Sequence, residues 1–188
     1  MRHLTRAELD AGLDEIRRSP RDAGSLRLIV RRPTVGEREL LEDAELNTVE
    51  GLAGDTWRMR VSKRTADGSP HPDMQLNVIN VRAIGLIAPD EARWPLAGDQ
   101  LFVDLDLSEA NLPAGTRLEI GSAVIEVTDQ PHTGCAKFVE RFGLDAMQWV
   151  NSPLGRDLRL RGLNAKVVQS GTIRVGEAVR KISGSVRL

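Results

Sequence analysis

The stretch QPHTGCAKF, Gln130 to Phe138, carries the one cysteine of the chain, with a histidine three residues before it. A thiol becomes a nucleophile or a soft-metal ligand in its thiolate form. The neighbouring residue types favour that form. Thr133 is placed to cap a helix beginning at Gly134 or Cys135, where the backbone dipole is positive, and Lys137 and Arg141 add positive charge. A free cysteine is equally at home as a small apolar core residue. These residues alone leave chemistry and packing evenly matched. His132 and Cys135 also form an H-x-x-C pair, but zinc needs three or four protein ligands. The other two histidines are His3, near the terminus, and His71, in a polar loop. A cysteine–histidine dyad has no stronger claim, because any thiol shares its chain with some histidine.

Two further patterns resemble chemistry and have plainer explanations. Asp104 and Asp106 alternate with Leu101, Val103, Leu105 and Leu107, which predicts a half-buried strand with its acids on a wet face. GLAGDT (Gly51 to Thr56) and LAGDQL (Leu96 to Leu101) are glycine-rich but lack the spacing and lysine of a phosphate-binding loop. They read as turns.

Elements that position these residues follow from periodicity. Thr5 and Glu8 form a capping-box pattern ahead of Leu9, Leu13 and Ile16, predicting an N-terminal helix that ends at Pro20 to Gly24. Leu26 to Val30 is an apolar strand closed by Pro33. Residues 37–52 are polar with regularly spaced apolar positions. Residues 61–73 have the composition of a loop, either a lid over a site or a solvated excursion. Leu76 to Ile79 reads as a buried strand, with Asn80 capping a short helix over residues 81–87. Arg117 to Ile120 and Ala123 to Val127 flank Gly121-Ser122 as a hairpin. Residues 135–151 are helical, with a break at Gly143. Residues 164–168, 172–175 and 178–182 are strands. Many short strands with few helices predict a barrel or strongly bent sheet, mainly β with a few peripheral α-helices.

Composition bounds the function. The chain has 188 residues, a net charge of −1, three Trp, three Phe and no Tyr. No block of like charge and no aromatic platform supports nucleic-acid binding. No run approaches the roughly 18 apolar residues of a membrane helix. With one cysteine and no apolar leader, a soluble, cytoplasmic protein is expected.

In order along the chain, GLAGD (51–55), QLNVINVRAI (75–84), LAGDQL (96–101), GTRLEIGSAVIEVTDQPHTGCAKF (115–138) and RGLNAKVVQSGTIRVGEAV (161–179) resemble a MOSC domain. This module is named for the C-terminal part of molybdenum cofactor sulfurases. The resemblance runs from Leu46 to Ile182. It implies a MOSC-type β-barrel over residues 25–188, with residues 1–24 as a helical extension packed against it. It also implies a molybdenum cofactor (molybdopterin) with Cys135 as the metal's thiolate ligand, in an oxidoreductase acting on N-hydroxylated or related small molecules. Electrons would come from a donor protein. The alternative it implies is a non-enzymatic carrier of persulfide sulfur or of the cofactor, serving a cofactor-dependent enzyme. No pyridoxal phosphate site is expected. His132, Asp99 and Gln100 become candidates for proton handling or substrate orientation. Thr133, Gly134, Asn80, Arg82, Arg161 and Asn164 become candidates for holding the cofactor. The chain departs from the family pattern at Asp99-Gln100, where many members carry Glu-Asn. It departs again at Asn164, where an aromatic residue is common.

Overall fold

The computed structural model describes residues 2–182. Its strands are β1 (Ala23–Arg31), β2 (Glu39–Leu41), β3 (Asp43–Asn47), β4 (Gly51–Leu52), β5 (Leu76–Asn80), β6 (Leu101–Asp104), β7 (Arg117–Ile120), β8 (Ala123–Val127), β9 (Leu163–Gln169), β10 (Gly171–Arg174) and β11 (Ala178–Ile182). Seven of them close a ring in the order β1-β11-β7-β8-β9-β5-β6 and back to β1. The β5–β6 pair is parallel and the other barrel pairs are antiparallel. β2 extends the sheet beside β1, while β3, β4 and β10 form a separate three-stranded sheet. The mainly β, helix-trimmed barrel expected from the sequence is the fold observed. Of residues 25–188, the last six (183–188) lie outside the described residues.

Alternation along the strands divides the apolar residues between two cores. Ile29, Val78, Leu101, Val103, Ile125 and Ala165 belong to one cluster, inside the barrel. Their chain neighbours Val30, Ile79 and Phe102 belong to a second, outside it. Helices cover that outer face: α1 (Arg6–Ala11), α2 (Leu13–Arg17), α3 (Val81–Ile87), α4 (Ala136–Phe142), α5 (Leu144–Asn151) and α6 (Pro153–Asp157). Strands buried on both faces read as continuous apolar runs, which is why LNVIN is buried throughout.

The expected N-terminal helix is two short helices broken at Gly12, and its capping box is formed, with Glu8 Oε2 accepting from Thr5 N at 2.8 Å. Leu9, Leu13 and Ile16 pack in the outer core. That layer corrects the expectation of a wet acidic face around β6. Phe102 is fully buried, and Asp104 is paired with Arg82 (2.8 Å). Asp106, also partly buried, accepts from Ser108 N at 2.9 Å.

Two glycines set the geometry beneath the site. Gly98, at φ +89°, ends the 3₁₀ turn Glu91–Ala97 in the left-handed region and turns the chain into Asp99. Gly162, at φ +99°, lies so close to β5 that a Cβ would sit 2.2 Å from the Val78 carbonyl oxygen. That approach brings Arg161 against the barrel.

Candidate functional site

Cys135 is exposed and is itself the N-cap of α4, in extended backbone (φ −125°, ψ −177°). The sequence placed the cap at Thr133. The difference has a visible cause. Asn151, on α5, clamps Gly134 from both sides, its Oδ1 accepting from Gly134 N (2.9 Å) and its Nδ2 donating to Gly134 O (3.0 Å). The clamp holds Gly134 outside the helix, and α4 begins two residues later. Thr133 is exposed. Asn151 carries no local signal, since the partner it holds is 17 residues away.

His132 turns toward Asp99 rather than forming a metal cluster with Cys135. Its Nε2 lies 2.9 Å from Asp99 Oδ1, and Arg161 donates to Asp99 Oδ2 at 2.7 Å and to Ala97 O at 2.8 Å. Burial alone would raise the Asp99 carboxyl, but the Arg161 charge and the His132 contact hold it down at about 2. Burial and Arg161 push His132 below its usual value, against the opposing pull of Asp99. The imidazole is then neutral at pH 7, donating Nε2–H to Asp99 and keeping Nδ1 as an acceptor. Among the described residues no group of three or more His, Cys, Asp or Glu is arranged to hold a metal ion.

The two shifts act on stability in different ranges. Because the folded pKa of His132 is lowered, the unfolded chain takes up a proton below about pH 6.5 that the folded chain refuses, so stability falls as pH drops below that value. The Asp99 contribution is present above about pH 4 and is lost as pH falls toward 2. Urea midpoints are therefore expected to decline from pH 7 to 5, a window above the Asp99 titration. His132→Gln, which keeps a side-chain donor for Asp99, should flatten that decline. An unchanged slope in the variant would refute the assignment.

A second buried network supports the same wall. Asp55 accepts from Arg32 Nε (2.8 Å) and NH2 (2.7 Å), from Arg32 N (3.0 Å) and from Trp57 N (2.9 Å). Arg32 NH1 continues to Gly98 O at 2.8 Å. Gln100 accepts from Asn77 N (2.8 Å) and donates to Gln75 O (3.0 Å). Asn77 and Asn164 are register partners on β5 and β9 and share an amide hydrogen bond of 2.7 Å. Asn164 then donates to Gln130 O at 3.1 Å, tying the cysteine-bearing segment to the barrel. Asp99, Gln100 and Asn164 are fully buried, so they act through what they hold.

Above this wall is a cavity of about 560 Å³, lined by Cys135, His132, Arg161 and Asn77 and walled by Thr34 to Gly36 and by Thr56 and Met59. Arg32, Arg38, Arg60, Lys137 and Arg141 line it too, and no aspartate or glutamate does. Arg32 and Arg161 have carboxylate partners. For Arg38, Arg60, Lys137 and Arg141 the described residues offer none. Desolvation and the charge of Arg141 lower the Arg38 pKa. Arg60 reaches solvent, yet the protein crowded around it and the nearby Arg32 bring it down to about 10. Arg161 Nε is buried without a hydrogen-bond partner, and the guanidinium lies 5.0 Å from the centre of the Phe138 ring. Such a cavity favours anions.

The structure thus gathers Cys135, His132 and Arg161 at one cavity and puts Asp99, Gln100 and Asn164 behind it. Gly134 is held by Asn151. Asn80 and Arg82 are elsewhere. Asn80 caps α3, with its Oδ1 accepting from Arg82 N (2.7 Å), and it donates to Ser19 and Leu105, while Arg82 pairs with Asp104 and Glu15. The sequence did not single out Arg32, Asp55, Arg38 or Arg60, which stand in separate segments without a shared motif.

The family profile of the MOSC domain matches residues 80–180, more than half of the chain. Among solved structures, the YUAD protein from Bacillus subtilis is similar at 16% identity and a TM-score of 0.61, covering 87% of this chain and 97% of that one. YiiM from Escherichia coli is similar at 20% identity and a TM-score of 0.56, covering 86% and 71%. YiiM from Geobacillus stearothermophilus is similar at 14% identity and a TM-score of 0.51, covering 87% and 75%. At these identities the structures bear on the fold alone. No curated protein matches by sequence.

Proposed function

The chain belongs to the MOSC domain family, and from that premise we propose that it binds a molybdenum cofactor and acts as an oxidoreductase on N-hydroxylated or related small molecules. One observation carries the reading: an exposed thiol stands in a cavity that no aspartate or glutamate lines and whose cations Arg38, Arg60, Lys137 and Arg141 have no carboxylate ion pair among the described residues. The residues suit the phosphate-bearing pterin of that cofactor. Arg38, Arg60, Lys137 and Arg141 would hold its anionic part, Arg161 Nε offers a buried donor still unused, and Cys135 supplies the soft ligand that molybdenum takes. When bound, the cofactor supplies oxygen-atom transfer and the associated two-electron chemistry.

The chain's own residues contribute orientation and proton handling. Asp99 fixes the His132 tautomer, so Nδ1 is the nitrogen left free to accept a proton or hold a substrate N–H or O–H. The clamp of Asn151 on Gly134 and the link from Asn164 to Gln130 hold the segment bearing Cys135 in place. Among the described residues no helix is long and apolar enough to cross a membrane. Electrons are proposed to arrive from a donor protein.

The exposure of Cys135 also favours a second reading, in which the thiol carries sulfur or hands the cofactor to another enzyme. Protein purified from a host that makes the cofactor is expected to contain stoichiometric molybdenum and pterin, and to reduce an N-hydroxylated substrate with an artificial donor. Folded protein free of both would overturn the cofactor reading. Loaded protein without turnover would favour the carrier.

A further inference from the structure

A smaller cavity of about 260 Å³ adjoins the main one, and the two share Arg60 and Asn77 in their walls. Its outer wall is residues 61–64 with Pro70 and His71, all within the 61–73 loop that the sequence reads as either a lid or an excursion. Arg64 NH1 fastens this loop to the cysteine-bearing segment by donating to Gln130 Oε1 at 3.0 Å. The apolar part of the wall is Trp57, Val61, Pro70 and Met74. The polar part is Arg60, Lys63, Arg64 and His71 with the uncharged Ser62 and Asn77, so every formal charge in the lining is positive. Because His71 Nδ1 accepts from Asp73 N (3.2 Å), its other ring nitrogen carries the proton. No aspartate or glutamate lines this annex, and among the described residues Lys63 and Arg64 have no carboxylate partner.

We infer that the annex is the anchoring pocket for the substrate's non-reacting end, and that it selects small molecules with a flat apolar body and a carboxylate. The inference deepens the proposed function by naming a substrate class. At 260 Å³ the annex holds one ring-sized group rather than a drug-sized ligand, for which pockets start at about 300 Å³. Trp57 and Met74 suit a planar apolar face. The cations and the His71 N–H supply charge-assisted hydrogen bonds that an uncharged amide cannot match. A cofactor in the main cavity would meet the cations near Cys135 and leave Lys63 and Arg64 for the substrate.

The test uses benzoate and its uncharged counterpart benzamide against the purified full chain, so it does not depend on cofactor loading. Binding is followed by the methyl NMR signals of the methionines, because Met74 lines the annex and Met59 the main cavity. Benzoate is expected to shift the Met74 signal and to bind at least about tenfold more tightly than benzamide, a difference of about 1.4 kcal/mol. The Lys63→Gln/Arg64→Gln variant keeps side-chain donors at both positions. It should shrink the preference several-fold. Equal binding of the two probes, a response of Met59 alone, no benzoate binding, or a preference undiminished in the variant would each overturn the proposal. A chain that passes this test but carries no molybdenum would keep the annex as an anion site and lose the proposed chemistry.

Discussion

Replacing Asp55 by alanine is expected to cost about 3–5 kcal/mol of stability, because it strands the Arg32 charge inside the protein. The two side chains are 2% and 0% exposed, and the Asp55 carboxylate accepts both guanidinium contacts together with the backbone N–H groups of Arg32 and Trp57. Both charges are almost wholly shielded from water in the folded protein. That loss is a large fraction of the roughly 5–15 kcal/mol that holds a domain folded. It measures the truncation and not the net worth of the pair. An Arg32→Met/Asp55→Leu double variant removes both charges together and should cost clearly less than Asp55→Ala alone. Asp55→Asn keeps one acceptor oxygen and should fall between the two. Urea unfolding of the parent and the three variants checks this order. An Asp55→Ala loss below about 1 kcal/mol, the scale of an exposed ion pair, would show that the burial is not felt. The effect reaches the cavity as well, because Arg32 lines it and holds Gly98 O just before Asp99.

The barrel was legible because its information is local and repeated. Period-two strands, the Gly121-Ser122 turn and the Asn80 cap each occupy a few adjacent residues, and each is formed. The β6 face was misread for a matching reason. Whether a strand's second face is wet depends on what covers it, and the covering helices lie far away in sequence. The site divides the same way. Cys135 and His132 were visible as a pair, but the partner of His132 is Asp99, 33 residues before it. Asp55 was visible only as part of GLAGD, and nothing in that motif points to Arg32. Lys137 and Arg141 were visible beside Cys135, but Arg38 and Arg60 join them only when the fold brings the four to one cavity. A basic cavity in a chain of net charge −1 is therefore invisible to composition, which sums charge without placing it.

Cys135→Ser is expected to reduce turnover of the cofactor-loaded protein by more than about 100-fold, since even the outer partners of a metal ligand are worth about 10–100-fold. Serine is nearly the same size, but its hydroxyl is a hard, weakly acidic ligand where molybdenum takes a soft thiolate. The substitution separates chemistry from packing because of where the residue sits. Cys135 is exposed, belongs to neither apolar cluster and makes no capping hydrogen bond through its side chain. Unfolding free energy should therefore stay within about 0.5 kcal/mol of the parent, the range of ordinary surface changes. If Cys135 were a packing residue, stability would fall and activity would fall only in proportion. If it acts as a sulfur carrier, the variant should lose stoichiometric sulfur transfer while the parent shows no turnover to lose. A variant that keeps both full stability and full activity would remove Cys135 from the mechanism. The basic lining of the cavity would then have to be explained by an anion that needs no thiol.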